Sequence, residues 1–310
     1  MTASDLVAST RLTFRIHRFE VVLVLGATLL SVLVSAVVLT WMTANDYGAC
    51  LSDDGSQPFR SVCLGSVSVW VNRIVRLSIG IVPVFPFLAG ILIGPALVGR
   101  ELDSGTARLA WSLGPSRLRW FLQRAVPALI LVAVCGFAIG VVSDALQSAI
   151  SPGADLSRSF LGYRTRGVIV GAEALLVAAV GLFAGALLGR PVPALIIALV
   201  LGGGLFLAAD RIDRTLLLPE AEIRAECCDN SQLWLDGKYQ MPDGRLLTYE
   251  QVVAEDPNAE MYGPAEPYVA LVIPGERYRS IEARNAIALS VIALVFVVVA
   301  ALVVQRRRPR

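Results

Sequence analysis

The chain has 310 residues, of which 55% are hydrophobic and 17% charged, and its formal net charge is +2. Soluble chains carry about 25% charged residues, so an ordinary soluble domain is excluded. A balance this close to neutral gives no global field to recruit nucleic acid. The apolar residues gather in blocks of about 20, the length a helix needs to cross roughly 30 Å of hydrocarbon.

Residues 1–20 are polar, then basic. Arg11, Arg15 and Arg18 share one helical face, which suits an amphipathic N-terminal segment with arginines among lipid phosphates. Val21 to Thr40 is too long for the apolar core of a signal peptide, so a first span is expected over 21–43. A polar loop, 45–68, holds Cys50 and Cys63. The second apolar run is densest from Leu77 to Val98. Its amphipathic preface carries Arg73 and Arg76, and Pro83, Pro86 and Pro95 predict kinks.

Gly99 to Arg124 is the densest charged block between two spans. Leu102, Thr106, Leu109 and Leu113 fall at helical spacing on one face, with Glu101, Asp103 and Arg108 off it. Gly114-Pro115 stops that helix, and Ser116 can cap the next. The expectation is a short amphipathic helix over 100–113, lying at a membrane face and gripped by another protein.

A third span is expected over 118–142 and a fourth over 167–188. Gly189-Arg190-Pro191 turns into a fifth, over 192–209, so residues 21–209 hold five spans. The long polar segment 210–280 is expected to fold as a small α+β cap. Within it, Asp236-Gly237 between alternating residues predicts a hairpin turn, and Thr248 with Gln251 makes a capping box. The sixth span is expected over 281–304, followed by a basic tail, 305–310. The fold class is therefore an all-α polytopic membrane protein with six transmembrane helices and a cap between helices five and six.

Counting spans alternately puts Arg11, Arg15, Arg18, Arg100, Arg108, Arg117, Arg119, Arg124, Arg190, Arg306, Arg307, Arg308 and Arg310 on one side. The positive-inside rule makes that side cytoplasmic, with both termini there, in a multi-pass plasma-membrane protein. Cys50, Cys63, Cys227 and Cys228 then lie outside, where disulfides persist. A local Cys50–Cys63 bridge and two bridges to the long segment both remain open. Cys135 is read as an apolar filler within the third span.

Glu173 is the one acid well inside a span. A charge there is costly and faces a cavity or a partner, so it is either a translocation-path residue or a polar contact, with Arg73 or Arg76 opposite. Small residues recur at four-residue spacing (Gly90 and Gly94, Gly136 and Gly140, Gly181 and Gly185), which permits close helix approach within one chain. His17, the single histidine, is read as a surface residue. The sequence has no Gly-x-x-x-x-Gly-Lys-Ser/Thr phosphate loop, no CxxC pair and no paired catalytic groups at membrane depth. The chain is therefore expected to be no enzyme and to hold no cofactor or metal.

Arg100-Glu-Leu-Asp-Ser-Gly-Thr-Ala-Arg-Leu-Ala110, followed by Ser116-Arg117 and Arg124, resembles the cytoplasmic motif of type-two ATP-binding-cassette exporter permeases. In that family the stretch follows the second span and forms a coupling helix docked on the ATPase subunit. Pro274, Arg277, Tyr278 and Glu282 resemble a pattern of its actinobacterial members. The resemblance implies a permease subunit that exports a hydrophobic or amphipathic substrate while a separate cytoplasmic subunit binds ATP and Mg. It implies a second permease copy or paralogue, and coupling through Arg100, Glu101, Leu102, Asp103, Thr106, Leu109 and Leu113, with Glu101 as the polar docking contact. The rival reading is a non-transporting receptor or assembly factor that displays the 210–280 cap.

Overall fold

The computed structural model describes residues 14–44, 66–112, 116–151, 153–225, 231–255 and 267–307. Cys50, Cys63, Cys227, Cys228 and Leu113 lie outside the described residues, as do Arg11, Arg308 and Arg310. The chain divides into two compact units: residues 1–153, 164–206 and 282–310 form the first, and residues 154–163 and 207–281 the second.

The first unit is helical. Its elements are α1 (Arg18–Ala44), α2 (Ser66–Ile81), α3 (Phe85–Asp103), α4 (Thr106–Ser112), α5 (Arg117–Ile150) and α6 (Ile169–Leu188), with most of α7 (Pro191–Leu217) and of the last helix (Tyr278–Arg306). Six stretches among the described residues are long and apolar enough to cross a membrane: Arg18–Ala44, Arg73–Asp103, Arg117–Ile150, Ile169–Leu188, Pro191–Glu220 and Gly275–Arg306. The second crossing is built from two helices. Pro83 lies in the turn between α2 and α3, Pro86 sits in the first turn of α3, and Pro95 is accommodated inside α3. α5 continues well past residue 142, because its far end is still apolar on one side. Leu146 there is buried with Val38, Met42 and Val75.

α6 is the central helix, and its composition explains why. It is hydrophobic all round and buried on nearly every side, with glycines on two faces. Towards α3, a Cβ at Gly90 would come within 2.6 Å of the Ala178 amide nitrogen, and one at Gly94 within 2.8 Å of the Gly181 Cα. Towards α5, Gly136 meets Gly171, where an added Cβ would lie 3.0 Å from its Cα. The four-residue glycine spacing thus packs helices within the chain, and α3 on α6 is the most extensive pairing, followed by α5 on α6.

The second unit holds the α+β part. Strands β1 (Glu222–Arg224), β2 (Leu233–Gln240), β3 (Leu246–Leu247) and β4 (Tyr268–Ile273) form an antiparallel sheet in the order β1-β4-β2-β3. The Asp236-Gly237 hairpin expected from the sequence does not form. Both residues stay within β2, paired to Leu271 and Ala270 of β4, after a register shift between Trp234 and Asp236. The extra residue is Leu235, so the bulge precedes the Asp236-Gly237 pair, which keeps regular ladder pairing. The turn falls instead at Met241–Arg245, where Gly244 takes φ 86°. The capping box forms: the Thr248 N–H donates to Gln251 Oε1 at 2.9 Å, and the Gln251 N–H to Thr248 Oγ1 at 3.4 Å, opening α8 (Tyr249–Glu255). The last helix is α9 (Tyr278–Arg306). Phe160, Leu217, Leu235, Ile273, Tyr278 and Ile281 make the core of this unit.

Candidate functional site

The charged block between the second and third crossings is two pieces rather than one helix over 100–113. Residues 100–103 are the last turn of α3, and the helix breaks at Ser104-Gly105, with Gly105 at φ 76°. α4 then occupies Thr106–Ser112. The hydroxyls of Ser104 and Thr106 both donate to the Glu101 carbonyl, at 3.4 Å and 3.3 Å, so α4 is tied back to the end of α3. Ser116 caps α5 as expected, accepting from the Arg119 N–H.

The residues of this block divide by orientation. Glu101 is buried at 5% exposure and turns into its own chain. Its Oε1 accepts from Arg124 Nε at 2.7 Å and lies 3.7 Å from His17 Nε2. The Arg124 guanidinium also stacks over the Trp120 ring, 4.6 Å from its centroid. Beside this group, Arg100 Nη1 donates to Glu20 Oε1 at 3.0 Å. Two contacts therefore clamp the N-terminal helix, through His17 and Glu20, onto the end of α3. A buried ion pair gains little net stability, but removing one partner strands a charge, so the cluster fixes geometry. His17, read as a surface residue, is in fact buried, and neither ring nitrogen has a hydrogen-bond partner among the described residues. Asp103, Ser104, Thr106 and Leu109 face outward, Leu109 at 63% exposure, while Leu102 is half-buried.

Arginines tie the same end of the bundle together. Arg117 Nη1 donates to the carbonyls of Gln305, at 3.1 Å, and Arg307, at the end of α9. Arg307 Nη2 donates to the Leu187 carbonyl at 3.0 Å, at the end of α6. Each arginine satisfies carbonyls that a helix C-terminus leaves without an intrahelical partner.

At the other end, Glu173 is 2% exposed. Its partner is neither Arg73 nor Arg76, whose side chains are exposed on α2. It is Arg164, with Nε and Nη2 each 3.0 Å from Glu173 Oε1. Arg164 adopts φ 68°, unusual for a residue with a Cβ. Its guanidinium lies 4.3 Å from the Phe206 ring centroid of α7, and Phe206 meets Phe87 of α3 edge-on at 5.4 Å. In the same loop the buried Arg166 donates to Asp144 Oδ1 at 2.7 Å, and the Val168 N–H to Glu282 Oε1 at 3.0 Å. The loop before α6 thus receives a carboxylate from each of α5, α6 and α9.

Between α5, α6 and α9 runs a groove of about 600 Å³, lined by Phe137, Gly171, Ala172, Leu175, Val291 and Leu294 among others. Ser290 is its one polar side chain, and its hydroxyl donates to the Ala286 carbonyl at 2.7 Å. The groove is therefore almost wholly apolar, with the Ser290 hydroxyl oxygen as its one side-chain acceptor. Among the described residues no group of His, Cys, Asp and Glu could hold a metal ion.

A family model described as ABC-2 membrane transporter related matches residues 19–213. The chain belongs to this family. No curated protein and no solved structure matches the chain. The ABC-2 membership, with six candidate spans, makes it a multi-pass membrane subunit of the ABC transporter class. The match takes in Glu101 with Arg124 and Trp120 but not His17, the Glu173–Arg164 pair, and the spans up to the fifth, within which it ends.

The sequence reading found Glu101 and Glu173 but missed their contacts with His17 and Arg164, and the neighbouring pairs of Arg100 with Glu20, Arg124 with Trp120, Arg166 with Asp144 and Val168 with Glu282. A weak signal existed for some of them. His17 and Glu20 are three apart and Trp120 and Arg124 four apart, so each pair shares a helix face. Nothing in the linear order of the chain brings Glu20 to Arg100 or Glu282 to Val168.

Proposed function

We propose that this chain is the permease subunit of an ATP-driven exporter, and that α4 is where a separate cytoplasmic ATPase subunit docks. The observation that carries this reading is the division of the charged block. Glu101 is buried as an anchor, while Asp103, Ser104, Thr106 and Leu109 are exposed on a short segment fixed at its base. A helix of seven residues has little stability of its own in water, so holding an exposed leucine there suits a site completed by a partner. Leu109, with Leu102 beside it, forms the apolar seam that meets the ATPase subunit, and Arg100 and Asp103 flank it.

The ATPase subunit supplies ATP and Mg, because the sequence contains no phosphate loop. The clustered arginines at the α3, α5 and α9 ends make that end cytoplasmic, with both termini there. Arg15 and Arg18, both exposed, meet anionic headgroups of the plasma membrane. A second permease, identical or paralogous, completes the transport path. The apolar groove between α5, α6 and α9 supports a hydrophobic or amphipathic substrate, since the single Ser290 hydroxyl could not replace the water that an ion or sugar would lose there.

Co-purification tests the reading. The wild-type chain is expected to bring down a phosphate-loop ATPase from its own membranes, and Leu109→Asp to lose it while inserting and folding normally. Full co-purification and full transport by Leu109→Asp would overturn the docking assignment.

A further inference from the structure

We propose that Trp111 is the joint through which force on α4 divides between two sets of helix ends. This rests on α4 being the docking segment. Seven residues following a left-handed glycine cannot act as a lever unless both ends are held. The front end is held by the two hydroxyl contacts to the Glu101 carbonyl. The back end is held by the Trp111 ring, which meets the Trp120 ring edge-on at 5.5 Å and 83°, with the Arg117 guanidinium 5.1 Å from its centroid. The Trp111 indole N–H has no acceptor among the described residues, so ring contacts fix its position.

Two routes leave the ring. Through Arg117, one reaches the carbonyls of Gln305 and Arg307, and through Arg307 the Leu187 carbonyl, so it joins α4 to the ends of α9 and α6. Through Trp120, the other reaches Arg124, then Glu101, then His17, so it joins α4 to α5, α3 and the N-terminal helix. Beyond Trp111 the routes run through different side chains, and they meet again in the first turn of α5, which carries both Arg117 and Trp120. The front of α4 stays tied to the end of α3 by the Ser104 and Thr106 contacts, so it is displacement of the back end of α4 that passes through the Trp111 ring to both routes. Trp111 is a positioning residue. It transmits movement and is not itself the surface that the ATPase subunit touches.

Hydrogen exchange measured by mass spectrometry reads both routes. In the chain alone, Trp111→Ala is expected to raise exchange at 300–307 and at 14–20 about two- to fivefold, the scale of one ring or cation–π contact in a local opening equilibrium. Trp111→Phe, which keeps a ring, should stay near wild type. Arg117→Gln should loosen 300–307 and leave 14–20 unchanged, which also guards against a misfolded Trp111→Ala. In the complex with its co-purified ATPase subunit, nucleotide should change exchange at 300–307 in the wild type. In Trp111→Ala the subunit should stay bound while that change is lost.

Wild-type exchange at both segments in Trp111→Ala overturns the joint, and so does a preserved nucleotide response. Loss of the subunit from Trp111→Ala would make Trp111 part of the docking surface, and that too overturns it. A wild-type chain that binds no ATPase subunit overturns the docking reading itself. That result is seen before any variant is made, so the two failures are told apart.

Discussion

Glu101 offers the sharpest test, because burial reverses what its charge suggests. Its carboxylate is 2.7 Å from Arg124 Nε, and the two side chains are 7% and 13% exposed. Glu101→Ala would leave the Arg124 guanidinium buried without its anion. Breaking a buried pair from one side costs about 3–5 kcal/mol. At about 2–4 °C per kcal/mol, that is a fall of roughly 10 °C in the midpoint of thermal unfolding. Removing the stranded cation as well should recover most of the loss, so Glu101→Ala with Arg124→Leu should show a coupling of about 2–3 kcal/mol in a double-mutant cycle. Glu101→Gln keeps an acceptor for Arg124 and should fall between. The assay is thermal unfolding of the detergent-purified chain, measured beside co-purification of the ATPase subunit. If Glu101→Ala unfolds at the wild-type temperature yet loses the subunit, the carboxylate faces the partner and the burial argument is wrong. Glu101→Arg cannot decide the matter, since it sets a further cation against Arg124 and His17 and would disable the chain by either route.

Other perturbations probe the frame and the path. Gly94→Val should sharply lower the yield of folded protein, because even a Cβ there falls 2.7 Å from the Ala178 carbonyl oxygen and both sides are backbone; size-exclusion profiles of the purified variant check this. Glu173→Leu should destabilise the fold by about 3 kcal/mol or more by stranding Arg164, and Glu173→Gln by less, as read by the thermal midpoint. Ala172→Trp fills the groove between α5, α6 and α9, and should reduce ATP-driven uptake of apolar dyes into inverted vesicles several-fold with little change in ATPase co-purification.

How much was legible follows from what each signal measures. Six apolar blocks gave six spans because crossing a membrane is a constraint on length and composition, both one-dimensional. The glycine spacing indicated close approach but not which helices approach. That Gly90 and Gly94 face Gly181 while Gly136 faces Gly171 depends on the third dimension. Thr248 with Gln251 was readable because a capping box closes over three residues. Asp236-Gly237 misled because the pair has the composition of a turn, and only its ladder pairing with Leu271 and Ala270 of β4 keeps it within a strand. The charged block over 100–113 reads as one helix because its leucines keep helical spacing across residue 105. The Gly105 backbone breaks the helix there without disturbing that spacing.

The arginines show the same limit in electrostatic terms. Counting them by side treats each as a positive charge near a headgroup, and the count brought Arg100, Arg117, Arg124 and Arg307 to one end, where they are found together. The count is blind to the guanidinium fork. Arg124 takes a carboxylate on one edge and a tryptophan face on the other, and Arg117 takes two terminal carbonyls and a tryptophan face. A point charge such as lysine would satisfy the topology rule equally well, yet it could not hold those partners at once. The cations that the topology count puts on one side also lace the helix ends together, so a partner pressing on α4 would press on every helix end those arginines hold.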